Sequence, residues 1–442
     1  MTSTFPRWRL KASGEVAPDE RLSWPHTVAL GVQHVVAMFG STALAPILMG
    51  FDPNTSIFFS GIGTLLFFLL TGGRLPSYLG SSFAFIAVVI AASGYAGHGA
   101  NGNIGVALGG ILAAGLVYAA IGILVQGIGT HWIERLMPPV VTGAIVAAIG
   151  LNLAPVAVRN VSGSTFDTIV GLLTAAVTAL IAVRARGVAQ RVPILLGALA
   201  GYAAYLLGAN GLGLGKPIDF TAVTAARWLG VPHFVHPVFT LSAITLIAPV
   251  AVVLVAENLG HIKALSAMTG RDYDGLIGRA FIADGLATVI SAGGGGTGVT
   301  TYAENIGVMA VTRIYSTLVF VVAAACAILL GFSPKFGAVI MTLPTAVIGG
   351  LALVVFGLIA ATGGRIWVLN KVDFSQARNL VTVAIALTMG AGDLAINVGG
   401  FSLGGIGMAT FGSIVLYWLL GGSVTAPVAT GGPAGAVKDS AA

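Results

Sequence analysis

From about residue 24 to residue 420 the chain alternates long apolar runs with short polar or glycine-rich breaks. An apolar run of ~20 residues is long enough to cross a bilayer as a helix. On this pattern the chain reads as 14 membrane segments, near 26–46, 55–71, 80–93, 104–126, 139–157, 167–184, 192–208, 240–262, 276–292, 302–312, 315–332, 343–361, 377–393 and 402–420. The third and tenth are too short to cross as single helices. Apolar segments of ~10–14 residues point instead to a broken or re-entrant element.

The two halves echo one another. Ser81-Ser82-Phe83 opens the short third segment, and Thr300-Thr301-Tyr302 opens the short tenth one 219 residues later. Pro138 and Gly143 find a second echo in Pro344 and Gly349. Seven segments per half is an odd number, so the second half inserts upside down. Inverted repeats with interrupted segments at matching positions are the pattern of secondary transporters, whose sites lie near the midplane. The competing explanation is chance recurrence of small residues in a chain with 63 glycines.

Composition agrees with the segment pattern. Hydrophobic residues make up 56% of the chain and charged residues 8%, with a mean hydropathy of +0.96. Soluble domains carry roughly 25% charge, so a water-soluble globule is excluded. The single cysteine, Cys326, excludes an intramolecular disulfide and any thiolate metal cluster. The first 22 residues are polar and charged, unlike a cleavable signal peptide, so the first segment is expected to direct insertion. With 14 segments both termini share a side, and 17 of the 21 Lys and Arg fall on it, leaving only Arg159, Lys216, Arg227 and Lys335 opposite. The positive-inside rule then puts both termini in the cytoplasm. The same scatter over short loops explains the basic pI without nucleic acid.

Against this background two carboxylates stand out, Glu257 in the eighth segment and Glu304 in the tenth. An acid inside an apolar span is costly and marks a substrate or proton site by default. Glu304 lies just after a start near Thr301, where a half-helix would aim free backbone N–H groups at the membrane centre. Extended backbone is tolerated at that depth only where it lines a cavity. Glu257 and His261 are four residues apart and share a helix face. His34, after Gln33, lies midway along the first segment. Histidine titrates near neutrality, so this Glu/His set suits a proton relay; the plainer reading of each His is a hydrogen bond to a neighbouring helix. Asp284 is the third intramembrane acid, with a structural role near the broken tenth segment as its first reading.

Other signals lead nowhere. The run Gly293 to Gly296 lacks the Gly-Lys-Ser/Thr ending of a phosphate-binding loop, so an ion gradient rather than ATP is the expected energy source. No His or Cys cluster has metal spacing, no cofactor is implied, and no nucleophile sits beside a base. Two acids beside backbone amides disfavour an anion and suit a neutral planar heterocycle. Uracil is one such solute: its N–H groups need acceptors, its carbonyls need donors, and Phe83 or Tyr302 could stack on the ring.

Glu304-Asn305-x-Gly307-x-x-x-x-Thr312-Arg313 matches the signature of the nucleobase–ascorbate transporters, also called nucleobase:cation symporter family 2. Gln33-His34, Ser81-Ser82-Phe83 and the pair Glu257/His261 resemble the bacterial uracil permeases. The resemblance runs from about residue 24 to 420. It implies an all-α polytopic fold of 7+7 inverted repeats, with short strands in segments 3 and 10. It also implies a core domain from 24–131 and 236–334, a gate domain from 132–235 and 335–421, and tails at 1–23 and 422–442. By resemblance, Glu257 and Glu304 bind the base, joined by backbone groups at Phe83 and Ala303. His34, His261, Asn305 and Asp284 belong to proton coupling and the surrounding network. The implied activity is proton-coupled uracil import by elevator-like motion in a cell-membrane protein, often dimeric through the gate. Many uracil permeases carry Pro-Asn-Thr-Thr before the aromatic residue, whereas this chain has Gly298-Val299-Thr300-Thr301. That departure suggests a looser pocket that also admits thymine or xanthine. The alternative class is an anion exchanger on the same architecture.

Overall fold

The computed structural model describes residues 5–421 except 13, 96, 98 and 188, so the expected tail at 422–442 lies outside the described residues. Every expected segment has a helical counterpart. Among the described residues nine helices are long and apolar enough to span a bilayer, from Trp24–Met49 to Thr345–Leu369. Thr317–Gly331 forms the eleventh span, followed by Pro334–Ile340 turned 88° from it. The shorter helices Phe83–Ser93, Ala303–Thr312, Ala377–Ala391 and Gly405–Leu419 supply segments 3, 10, 13 and 14. Large apolar side chains such as Leu124, Ile128, Leu180 and Val183 face outward, as lipid contact requires.

Some boundaries differ from expectation. Segment 8 is broken into Leu241–Ile247 and Val250–Thr269 at Ala248-Pro249, because proline removes a helix hydrogen bond and crowds the preceding turn. The expected start of segment 14 at residue 402 falls in a hairpin, where Ile396–Val398 pairs with Phe401–Leu403 across positive-φ Gly399 and Gly400. The N-terminal tail is not a free tail. Arg9–Leu10 pairs in parallel with Glu20–Arg21, and Val16 pairs with Ile314.

The packing pattern carries the repeat. Span 4 packs on span 9 and span 11 on span 2; span 6 packs on 12 and span 13 on 5; span 7 packs on 6 and span 14 on 13. Within each of these couples, exchanging span n for span n+7 turns one contact into the other. Spans 2 and 9, 3 and 10, and 5 and 12 map onto themselves and touch across the pseudo-twofold axis. Such an axis lying in the membrane plane is the inverted-repeat operation. Close approach relies on small residues, as in membrane helix pairs generally. A Cβ at Gly115 would meet the Gly285 carbonyl at 2.8 Å, and one at Gly285 would meet the Gly115 carbonyl at 2.7 Å. Most contacts fall within two groups of helices, spans 1–4 with 8–11 and spans 5–7 with 12–14.

Candidate functional site

The axis runs through two buried strands. Leu79–Ser81 and Val299–Thr301 pair antiparallel, with Gly80 opposite Thr300. Among the described residues neither strand has a second neighbour, so polar side chains complete the backbone pairing at this depth, where unpaired groups cost several kcal/mol. Thr64 Oγ1 on span 2 accepts from the Leu79 N–H at 2.9 Å, and Thr288 Oγ1 on span 9 accepts from the Val299 N–H at 3.1 Å. These two threonines are repeat equivalents performing one task. Gly80 is required because a Cβ there would lie 2.5 Å from the Tyr302 ring.

Each strand runs into a half-helix. Phe83–Phe85 opens one, and Ala303–Thr312 the other. The strands are antiparallel, so both half-helices begin near the axis and lead away from it in opposite directions. The second has no side-chain cap, which leaves its first-turn N–H groups at Ala303, Glu304 and Asn305 available as donors. Ala303 is exposed and Phe83 and Glu304 half-buried, so the site is open rather than sealed.

The acids converge here. Glu304 Oε1 accepts a hydrogen bond from the Ser41 hydroxyl on span 1. Glu257, on Val250–Thr269, accepts no hydrogen bond among the described residues and lies close enough to Glu304 for their charges to interact. No Lys or Arg forms an ion pair with either carboxyl; the ion pairs among the described residues lie elsewhere. Two acids without a counter-cation, beside helix N-termini, form a site rich in both acceptors and donors.

The remaining expected residues form two networks. His34 is buried, with Nδ1 2.9 Å from Asn305 Nδ2 and its ring 4.7 Å from that of Phe320. With Asn305 donating to Nδ1, the neutral imidazole carries its proton on Nε2. His261 Nδ1 lies 2.8 Å from Thr301 Oγ1, and that hydroxyl donates to Asn258 Oδ1 at 3.3 Å. Asn258 Nδ2 donates to Asp284 Oδ2 and, at 2.8 Å, to the Tyr118 hydroxyl. Asp284 is fully buried below the strand pair, joined to His261 through Asn258 and Thr301.

Two placements depart from the sequence reading. The Tyr302 side chain is 3% exposed, its hydroxyl donating to the Ser81 carbonyl at 2.9 Å and accepting from Thr42 Oγ1 at 3.1 Å. It braces the crossing strands instead of offering a stacking face, whereas Phe83 stays half-exposed with its ring 6.1 Å from Phe356 on span 12. Gly298 is no loose hinge either, since a Cβ there would run into the Phe85 ring. Ser41, Thr42 and Asn258 escaped the sequence reading, and Thr301 entered it only as part of the triplet that opens the tenth segment. Their only signal was polarity inside apolar runs, which many helical serines and threonines share by bonding to their own backbone, as Thr174 does with Val170.

A family model described as the Permease family matches residues 25–399. The chain is 63% identical over 420 residues to the putative pyrimidine permease RutG of Escherichia coli, covering 94% of this chain and 95% of that protein. It is 40% identical over 410 residues to a uracil permease of Bacillus caldolyticus, covering 89% and 92%. Among solved structures it resembles the murine Solute Carrier 26 family member A9 anion transporter (TM-score 0.66, 13% identity, 91% of this chain and 69% of that one). It also resembles the transmembrane domain of the cyanobacterial bicarbonate transporter BicA (TM-score 0.62, 15% identity, 89% and 96%). At these identities the structural likeness speaks for the fold alone.

Proposed function

The chain belongs to the nucleobase–ascorbate transporter family of permeases, and on that premise we propose that it imports uracil and related bases coupled to protons. The observation that carries the reading is the pairing of Glu257 and Glu304, without a counter-cation, beside the uncapped start of Ala303–Thr312. Glu257 and Glu304 accept the N–H groups along one edge of a pyrimidine. Backbone groups at Ala303 and Phe83 meet its carbonyls, and the Phe83 ring covers a face. The relatives named as pyrimidine and uracil permeases support this substrate class. The fold neighbours named as anion and bicarbonate transporters share the architecture, but two unpaired carboxylates repel an anion.

His261 with Thr301, and His34 with Asn305, are the proton-handling groups, and Asp284 anchors the His261 network. Spans 1–4 and 8–11 act as the core that carries the site. Spans 5–7 and 12–14 act as the gate against which it slides, and through which two copies pair. The protein sits in the plasma membrane with both termini cytoplasmic.

Labelled uracil uptake by whole cells tests the reading. Glu257→Gln and Glu304→Gln are each expected to lower uptake at least tenfold at wild-type membrane abundance; wild-type uptake by either removes that residue from the site. Competition by unlabelled thymine and xanthine measures the range. A protonophore is expected to collapse accumulation, and undiminished accumulation would assign another driving ion.

A further inference from the structure

We infer that the side of the protein richest in basic residues carries a binding site for a phosphate-bearing anion, built from Arg74, Arg279 and Tyr273. A cavity of about 320 Å³ opens there between the connection joining spans 2 and 3 and the connection joining spans 8 and 9. Four of its lining side chains bear on charge. Arg271 is already engaged, with Nη2 2.5 Å from Asp19 Oδ1. Asp272 is partly occupied in accepting the Asp274 N–H at 2.8 Å. Arg74 and Arg279 have no ion pair or hydrogen bond among the described residues, and both are exposed. Two free guanidinium forks therefore face one cavity.

A second, independent observation points to a ligand. The Tyr273 side chain is 3% exposed and lines the same cavity, and among the described residues its hydroxyl meets no partner at full hydrogen-bonding geometry, Thr269 alone lying near it. A buried hydroxyl without a good partner keeps its desolvation cost, so a group entering the cavity that accepts from it gains that bond. The helical turn Asp274–Leu276 leads directly into Ile277–Gly293 beside this cavity, so the positive end of that helix dipole lies there. Guanidinium forks match phosphate oxygens in pairs, and a tetrahedral phosphate has oxygens to spare for a phenol donor. Two sources share this chemistry: the headgroup of an anionic phospholipid, which basic pockets near helix ends bind, and a free phosphate anion. The site is separate from the strand crossing and does not depend on the proposed substrate.

The test is thermal unfolding of the full-length protein in detergent, titrated with phosphatidylglycerol, phosphatidylcholine or inorganic phosphate. Phosphatidylglycerol or phosphate is expected to raise the unfolding temperature of the wild type, phosphatidylcholine is not, and R74Q/R279Q is expected to lose the response. A rise with phosphatidylglycerol alone assigns the lipid headgroup; a rise with inorganic phosphate as well assigns the anion itself. No rise with either, or a wild-type response from R74Q/R279Q, overturns the site. Tyr273→Phe keeps the ring and removes only the donor, so it is expected to weaken the apparent affinity several-fold. Unchanged affinity there removes the tyrosine from the site.

Discussion

At the scale of single residues, the strand crossing is held by complementary small and large side chains. Gly80 leaves room for the Tyr302 ring, and the Tyr302 hydroxyl returns a hydrogen bond to the Ser81 carbonyl. Adding one methyl group at Gly80→Ala forces the ring or the strand to move inside a packed core. We expect that variant to lose folded yield in the membrane. Tyr302→Phe removes only the hydroxyl and costs roughly 1–3 kcal/mol for the partners left unpaired, so it should fold and keep part of its uptake. Comparing detergent-extracted, monodisperse protein for the two variants checks the order; equal yields would mean that the ring can turn away. Ser41 is the other residue to test, because its hydroxyl bonds Glu304 directly. Ser41→Ala should raise KM for uracil several-fold at normal membrane abundance, and Ser41→Thr should restore it. An unchanged KM would leave the hydroxyl with no part in positioning Glu304. Glu257 and Glu304 were legible in the sequence because acids are rare in apolar spans, whereas Ser41 looked like any other helical serine.

At the scale of elements, the sequence disclosed where helices fail more readily than what replaces them. The short third and tenth segments predicted interruptions and only the family resemblance implied strands there; the structure has those strands, each clamped by a threonine from a neighbouring span. Thr64 and Thr288 could not be read as clamps, since their role exists only once span 2 lies against one strand and span 9 against the other. The N-terminal segment was illegible for a related reason: it is polar and short, and its order comes from distant partners. Val16 donates to the Arg313 carbonyl at 3.0 Å, the Tyr315 N–H donates to the Val16 carbonyl at 2.8 Å, and Trp8 Nε1 donates to Thr317 Oγ1 at 2.9 Å. The segment is thus strapped across the junction of spans 10 and 11. Asp19 adds an ion pair with Arg271. Partial burial alone would raise the Asp19 carboxyl, but the Arg271 hydrogen bond and charge, a backbone N–H and the Arg9 charge together outweigh it and hold it below the ordinary aspartate value. A lowered acid stabilises the folded state above its unfolded value and loses that contribution as pH falls through the folded one. The pair is substantially exposed, so its worth is roughly 1 kcal/mol or less. Proteolysis of the strap should therefore quicken in acid below the ordinary carboxylate range for the wild type, and Asp19→Asn should lose part of that response, the remainder belonging to Glu20, whose carboxyl the Ala17 N–H and Lys11 likewise hold below its ordinary value. A full wild-type pH response preserved in Asp19→Asn would remove Asp19 from it.

At the scale of the molecule, the packing separates two groups of helices that meet along few contacts, and the site lies beside that boundary. The Phe83 ring belongs to one group and Phe356, against which it rests, to the other. Within the second group, spans 5 and 12 are pressed backbone to backbone, with a Cβ at Gly143 falling 2.8 Å from the Gly363 carbonyl. Contacts of that kind keep a group rigid, because interiors packed at crystal-like density deform little. Motion should therefore concentrate between the groups as a displacement of one body against the other. Spin labels can follow it in a background where the single native cysteine, Cys326, is replaced by alanine. One label at the exposed Ile128 on span 4 and one at the exposed Val183 on span 6 report the distance between groups. A second pair, at Val183 and the exposed Val368 on span 12, reports the distance within one group. Addition of uracil should change the first distribution and leave the second alone. If both distributions shift together, the two groups are not rigid bodies, and alternating access would have to arise from bending within the helices. If neither shifts, the site would open without relative motion, as in a channel, and saturable uptake with counterflow would then have to be absent as well.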